Sequence, residues 1–168
     1  MFLINKLGPE LQKIYIKILK KLNNIKGSRK SISKGFATGV AMSFTPFVGF
    51  HILLSLFVTK VTKQNGVAST LGTIFGNPWT FPFIWYLTLH TGYFLLAYKV
   101  TPQEQDFKIF FLKLYHSIIN IDFNLFLTDI WPMFLPMLVG CIPYYIIVWW
   151  GVYYMAFKAL SSPNNDGR

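Results

Sequence analysis

Two short motifs rich in proline, glycine and small polar residues interrupt long uncharged stretches of this chain. Proline removes a backbone donor and breaks a helix, so the helical segment that follows begins with free N–H groups. Free N–H groups at a helix start bind anions, and broken helices within membranes surround ligand sites. A phosphate or an anionic headgroup is the expected ligand. The candidate substrate-binding residues are Thr45, Pro46, Gly49, His51, Asn77, Pro78 and Thr80.

Each polar residue also has a purely structural interpretation. The side chains of Asn77 and Thr80 flank Pro78 and can bond the backbone groups that the break leaves unpaired. His51 follows the first break, and an ionisable side chain within a membrane segment is a functional candidate. A histidine there can equally stay neutral, hydrogen-bonded to a neighbouring helix. Both interpretations stay open for all of these side chains.

The sequence argues against catalysis. No acidic residue lies within the apolar stretches, which removes paired-carboxylate chemistry. Cys141 is the only cysteine and has no neighbouring sequence cue for activation. The three histidines lack the short spacing of a zinc site, and neither a phosphate-binding loop nor a dinucleotide motif is present. We expect no enzyme activity, no catalytic residue, no metal and no cofactor.

The stretches that carry the motifs are long enough to enter a membrane. Residues 35–59 and 64–98 hold no charge, and neither does Ile130–Phe157. Hydrophobic residues make up 53% of the 168 residues, whereas only 13% are charged, about half the proportion of a soluble domain. A straight helix over 64–98 would be roughly 50 Å long, against about 30 Å of hydrocarbon, so a break at Asn77-Pro78 is expected.

These stretches predict an all-α integral membrane protein with two or three transmembrane crossings. One or two helices are broken by proline and glycine, and the stretch 35–59 either crosses once or enters the membrane and returns. We favour the re-entrant arrangement because the two breaks are paired. Amphipathic interfacial helices are predicted over about 7–25, where apolar residues recur every three or four positions, and after Thr101-Pro102-Gln103-Glu104, a capping box.

Positive charge is concentrated at the N-terminus. Residues 1–34 hold nine of the 16 lysines and arginines and one acid, Glu10. This excess predicts a cytoplasmic N-terminus and an arm that binds anionic lipid headgroups rather than nucleic acid. The apolar face of the arm either lies on the lipid or packs on the protein's own helices. We expect a basic amphipathic arm (1–34), a membrane domain (35–157) and a polar tail (158–168).

The motifs resemble a bacterial membrane-protein family known only as domain of unknown function 2062. The resemblance is strongest over residues 32–98 and weaker through 157. It implies a bacterial inner-membrane location and the two-break architecture, and it implies no substrate. The matching residues are Gly35, Gly39, Pro46, Gly49, His51, Asn65, Gly72, Asn77, Pro78, Trp79, Thr80, Pro82, Tyr86 and Gly92.

Two functions fit these features. The first is a small transporter or lipid-handling protein whose site lies at the two broken helices, and the short chain then favours a homodimer. The second is a non-transporting membrane interaction or scaffold protein, in which the breaks are packing devices and the basic arm recruits lipid.

Overall fold

The structure, a computed structural model, describes residues 8–47, 49–97, 107–120, 124 and 126–160. These residues form helices and contain no strand, so the all-α prediction is confirmed for the described part of the chain. A π-helical turn over Phe126–Ile130 precedes the last helix. The helices are α1 (Pro9–Asn23), α2 (Arg29–Met42), α3 (His51–Val61), α4 (Gly66–Thr73), α5 (Phe81–Leu95), α6 (Phe107–Asn120) and α7 (Trp131–Leu160).

Several predictions of local structure can be compared with these bounds. The break at Asn77-Pro78 is confirmed, because α4 ends at Thr73 and α5 begins at Phe81. The capping box at 101–104 and the tail from 161 onward lie outside the described residues. Helix α6 has the predicted position, but the side chains of its predicted apolar face also lie outside the described residues.

The chain divides into two compact units, each of which is built from separate segments. The first unit contains Met1–Met42, Phe50–Ile74 and Val148–Arg168; the second contains Ser43–Gly49 and Phe75–Ile147. The loop between α2 and α3 and the break between α4 and α5 therefore belong to the second unit. The predicted division into arm, membrane domain and tail stays a prediction.

Helices α2 and α4 of the first unit pack backbone against backbone. A Cβ atom at Gly35 would collide with the carbonyl oxygen of Asn65, and one at Gly39 would collide with the carbonyl oxygen of Ser69. On the other side, a Cβ at Gly72 would collide with the carbonyl oxygen of Phe36. Contacts advance together along both helices, so α2 and α4 run in the same direction. This is the close approach that paired small residues allow.

The amphipathic α1 packs on the first unit through the later part of its apolar face. Leu22 is buried in one cluster with Ile32, Ala68 and Leu160, and Ile18 packs against that cluster. Ile14, one turn earlier, is exposed. Of the two arrangements open from the sequence, packing on the protein's own helices therefore accounts for the second half of α1. The same cluster brings the end of α7 beside the starts of α2 and α4.

In the second unit, α5 packs against the first half of α7. A Cβ atom at Gly92 would collide with the carbonyl oxygen of Pro136, and one at Gly140 would collide with the carbonyl oxygen of Thr88. The contacts run in opposite directions along the two helices, so the helices are antiparallel. Apolar side chains fill the space between them: Phe81, Ile84, Trp85, Leu89, Tyr93, Ile130, Met133 and Met137.

Candidate functional site

The first break is the loop between α2 and α3, and glycine makes its turn possible. Gly49 has φ +80°, a conformation that side-chain-bearing residues rarely adopt. Aromatic contacts fix the rest of the loop within the second unit: the ring of Phe44 stacks on Tyr144 at 6.3 Å, and Phe47 meets Phe134 edge to face at 5.9 Å. The predicted site residue Thr45 is buried in this loop.

The second break is closed by its own side chains. The Oδ1 atom of Asn77 accepts hydrogen bonds from the backbone N–H groups of Trp79 (3.0 Å) and Thr80 (3.1 Å). In return, Thr80 Oγ1 accepts the N–H of Asn77 (3.0 Å) and donates to the carbonyl oxygen of Phe75 (2.8 Å). Pro78 lies in the turn before α5, where its missing N–H leaves no helical bond unmade. The motif is a reciprocally hydrogen-bonded turn that leads directly into α5.

The structural interpretation of Asn77 and Thr80 is therefore confirmed, because both side chains repair the backbone at the break. A ligand-binding role for the same side chains stays a prediction. Trp79, between them, points outward with 93% of its surface exposed. The half-buried Asn77 and Thr80 and the exposed Pro78 lie at the surface of the second unit.

The two breaks are in contact. A Cβ atom at Gly76 would lie 2.7 Å from Ser43 Oγ and 2.8 Å from Ser43 Cβ, so the backbone before Pro78 packs directly on Ser43. Ser43 is fully buried there. Six of the seven predicted site residues thus share the second unit, in two adjoining loops. The seventh, His51, is the first residue of α3 in the first unit and is half-buried.

His90 of α5 has a local partner. Nδ1 of His90 lies 2.9 Å from the carbonyl oxygen of Tyr86 one turn earlier, and the two rings are 4.0 Å apart. This bond satisfies one ring nitrogen within its own helix.

One polar network of the first unit has no signal in the sequence. Thr38, fully buried in α2, donates to Oε1 of Gln64 at 2.7 Å and accepts the indole N–H of Trp149 at 2.9 Å. The network joins α2, the α3–α4 turn and α7 within the first unit. Trp149 and Thr38 lie 111 residues apart, and nothing local to either residue indicates that they pair.

Small polar side chains share the interior with the apolar cores, while many large apolar side chains are exposed. Among the described residues, ten serines and threonines are buried: Ser33, Thr38, Ser43, Thr45, Ser55, Thr59, Ser69, Thr73, Thr88 and Ser117. Large apolar side chains are exposed on every helix from α3 to α7, among them Phe57, Phe83, Phe94 and Trp150. Exposed apolar patches larger than a few hundred Å² mark membrane or partner contacts in other proteins.

One helix in the described residues, Trp131–Leu160, has the length and apolar composition needed to cross a bilayer. His51–Val61 is apolar but shorter. At 14 and 11 residues, α2 and α3 are about 21 and 16 Å long, less than the roughly 30 Å of hydrocarbon. Of the predicted two or three crossings, the structure thus supplies one candidate of full length.

Charge separates between the units. The first unit has 13 basic and two acidic residues, a net charge of +11, whereas the second has three basic and four acidic residues, a net charge of −1.

Among the described residues, no group of three or more histidine, cysteine or acidic side chains could hold a metal ion. The Cys141 thiol is buried and donates to the carbonyl oxygen of Leu138 at 3.1 Å.

A comparison with known families extends the resemblance seen in the sequence. The family model described as "uncharacterized protein conserved in bacteria (DUF2062)" matches residues 12–164, which includes every described helix except the first turn of α1. No curated protein and no solved structure matches the chain. The chain belongs to the DUF2062 family of uncharacterized bacterial proteins.

Proposed function

We propose that this chain is an integral protein of the bacterial inner membrane that handles a small phosphate-bearing solute or lipid headgroup at the two adjoining breaks. The exposed apolar side chains support the membrane location, because large apolar groups on the outer surface suit a lipid surround. The observation that carries the site is the contact between Ser43 and Gly76, which joins the two breaks in one unit.

The topology that we propose has two crossings and a re-entrant hairpin. Helices α2 and α3 are each too short to cross, and the residues just before α2 and just after α3 are hydrogen-bonded to each other through Asn65. The chain therefore enters and leaves at the same end of the first unit. By sequence, residues 64–98 then make one crossing and Ile130–Phe157 the other. We expect the basic residues of this end, and both termini, to lie on the cytoplasmic side.

In this proposal, Thr45, Pro46 and Gly49 line one wall of the site and the Asn77–Thr80 turn lines the other. His51 belongs to the first unit, so the proposed site is built without it. The role is binding and passage without catalysis, no metal or cofactor takes part, and nucleic acid is not a partner. A homodimer fits the small size of the chain.

A non-transporting interaction or scaffold protein is the second candidate. It is favoured by the reciprocal bonds of Asn77 and Thr80, because side chains committed to their own backbone are less free to hold a ligand. In that case the breaks serve packing alone.

Thiol labelling in membrane vesicles separates the two functions. Cys141→Ser gives a cysteine-free background, and single cysteines replace Phe47 and Trp79, which are exposed residues of the two breaks. An impermeant maleimide is applied to right-side-out and inverted vesicles. Phe57→Cys, on the exposed face of α3, is the lipid-facing control, and Lys17→Cys is the water-facing control.

We expect labelling at both breaks, at rates closer to the Lys17→Cys control than to the Phe57→Cys control. Such labelling would identify a water-filled cavity at the breaks and justify transport assays. If both breaks stay as unreactive as Phe57→Cys in well-inserted protein, the site proposal is wrong and the scaffold function is favoured.

A further inference from the structure

Exposed cations of the first unit gather where two chain segments are tied together. The backbone N–H of Asn65 donates to the carbonyl oxygen of Ser31 at 3.2 Å, and its side-chain amide donates to the carbonyl oxygen of Lys26 at 2.9 Å. These bonds hold the first turn of α2 and the residues before it against Asn65, which follows α3. Five exposed basic residues lie close in the chain to these bonds, and we name them the basic rim: Lys26, Arg29, Lys30, Lys60 and Lys63.

The rim has little negative charge near it. Glu10 is the only acid among the described residues of the first unit, and its carboxylate is already paired with the Lys13 ammonium at 2.8 Å. Helices α2 and α4 both begin at the rim, so their positive dipole ends add to the field. Like charges held together on a fixed backbone repel one another, and a bound anion relieves that repulsion.

An exposed apolar stripe runs along α3 to the rim. Its members Leu53, Phe57 and Val61 recur every four residues, so they lie on one face of the helix, and 62%, 66% and 65% of their surfaces are exposed. Val61 directly follows Lys60 and stands two residues before Lys63 in the chain. The stripe therefore ends at the cations.

We propose that the basic rim and the α3 stripe together bind an anionic phospholipid, with the phosphate at the rim and an acyl chain along the stripe. A phospholipid has an anionic phosphate that complements the cations of the rim, and an apolar chain that can lie along the stripe. A nucleic acid would match the cations but would leave three turns of apolar helix without a partner. Clusters of four to eight basic residues at the end of a membrane helix are typical of anionic-lipid binding. The proposal involves other residues than the break site and shares with it only the membrane location.

The test compares lipid binding by charge-matched variants of the purified full chain in detergent. The probes are phosphatidylglycerol and phosphatidylcholine, and bound lipid is counted by native mass spectrometry across a titration. The rim variant is Lys60→Gln/Lys63→Gln, and the control variant Lys13→Gln/Lys17→Gln removes the same charge from α1. A Lys60→Arg/Lys63→Arg variant keeps the charge in place.

We expect phosphatidylglycerol to bind the unmodified chain in preference to phosphatidylcholine. Because each basic residue near a headgroup contributes about fivefold to affinity, the rim variant should bind phosphatidylglycerol roughly 25-fold more weakly. The control variant should lose less than about threefold, and the arginine variant should bind as the unmodified chain does. Phe57→Ser should weaken binding of the lipid without changing that of glycerol phosphate, which lacks an acyl chain.

Four results would overturn the proposal. They are equal loss in the rim and control variants, equal binding of the two lipids, displacement of the lipid by an equimolar single-stranded oligonucleotide, and full displacement by millimolar inorganic phosphate. The first two would indicate non-specific surface binding, the third a nucleic-acid partner and the fourth a free-phosphate site. A variant that fails to insert is replaced by Arg29→Gln/Lys30→Gln, which tests the other segment of the rim.

Discussion

Substitutions of Asn77, in the hydrogen-bonded turn at the second break, can distinguish backbone repair from ligand binding. Asn77 acts through Oδ1, which accepts two backbone N–H groups, so the repair needs an acceptor at this position. Asn77→Ala removes both bonds, whereas Asn77→Asp keeps an acceptor of the same shape. If Asn77 binds an anion, Asn77→Asp should weaken binding, because the aspartate would place a negative charge beside the ligand.

The size of the effect follows from the two bonds. An intramolecular hydrogen bond contributes a net of about 0.5–1.5 kcal/mol to stability. N–H groups left in an apolar surround cost more, so we expect Asn77→Ala to destabilise the chain by about 1–3 kcal/mol. Asn77→Asp should stay within about 0.5 kcal/mol of the unmodified chain. Asn23→Ala, an exposed asparagine of α1, serves as the control and should change stability little.

The assay is thermal unfolding of the purified chain in one detergent, followed by size-exclusion chromatography after heating. The midpoint should fall for Asn77→Ala and be restored in Asn77→Asp. Equal midpoints for Asn77→Ala and the unmodified chain would refute the repair role. An aspartate variant as unstable as the alanine variant would also contradict it, because the acceptor alone would then be insufficient.

Two further contacts give predictions with matched controls. Gly39→Leu should destabilise the chain by about 3 kcal/mol or more, because a side chain there meets the backbone of Ser69. Gly151→Leu is the control and should be tolerated, because nothing lies within 4 Å of its Cβ position. Expression level and elution as a single species measure both effects. Trp149→Phe should lower the free energy of unfolding by about 1 kcal/mol, because it removes the hydrogen bond from the indole N–H to Thr38 Oγ1. Trp150→Phe is the control: Trp150 is exposed, so the unfolding midpoint should stay unchanged.

The elements of this chain could be predicted from its sequence because they depend on local chemistry. Proline at 78 must interrupt a helix wherever the chain folds, and the pattern of isoleucine and leucine over 7–25 requires an amphipathic helix. Gly35 and Gly39 stand four residues apart, a spacing that allows close helix packing, and both contact α4 through their backbone. None of these inferences needed a partner distant in sequence.

The parts that could not be predicted depend on contacts across the chain. The pairing of Ser43 with Gly76 joins residues 33 positions apart, and nothing local to either residue selects the other. The bond from Trp149 to Thr38 is of the same kind. The sequence predicts a basic arm because nine lysines and arginines lie before residue 35. In the structure, the bond from Asn65 to Lys26 brings the chain around Lys26 close to the chain that follows Lys60 and Lys63.

The shortness of α2 and α3 has a consequence for biogenesis. Neither helix reaches across the hydrocarbon alone, and the segments before α2 and after α3 are tied together by Asn65. In the proposed topology, we therefore expect the pair to enter the bilayer as one unit, after Asn65 has left the ribosome. Until then the uncharged residues 35–59 would have to stay at the membrane surface, directly after the basic residues of 1–34.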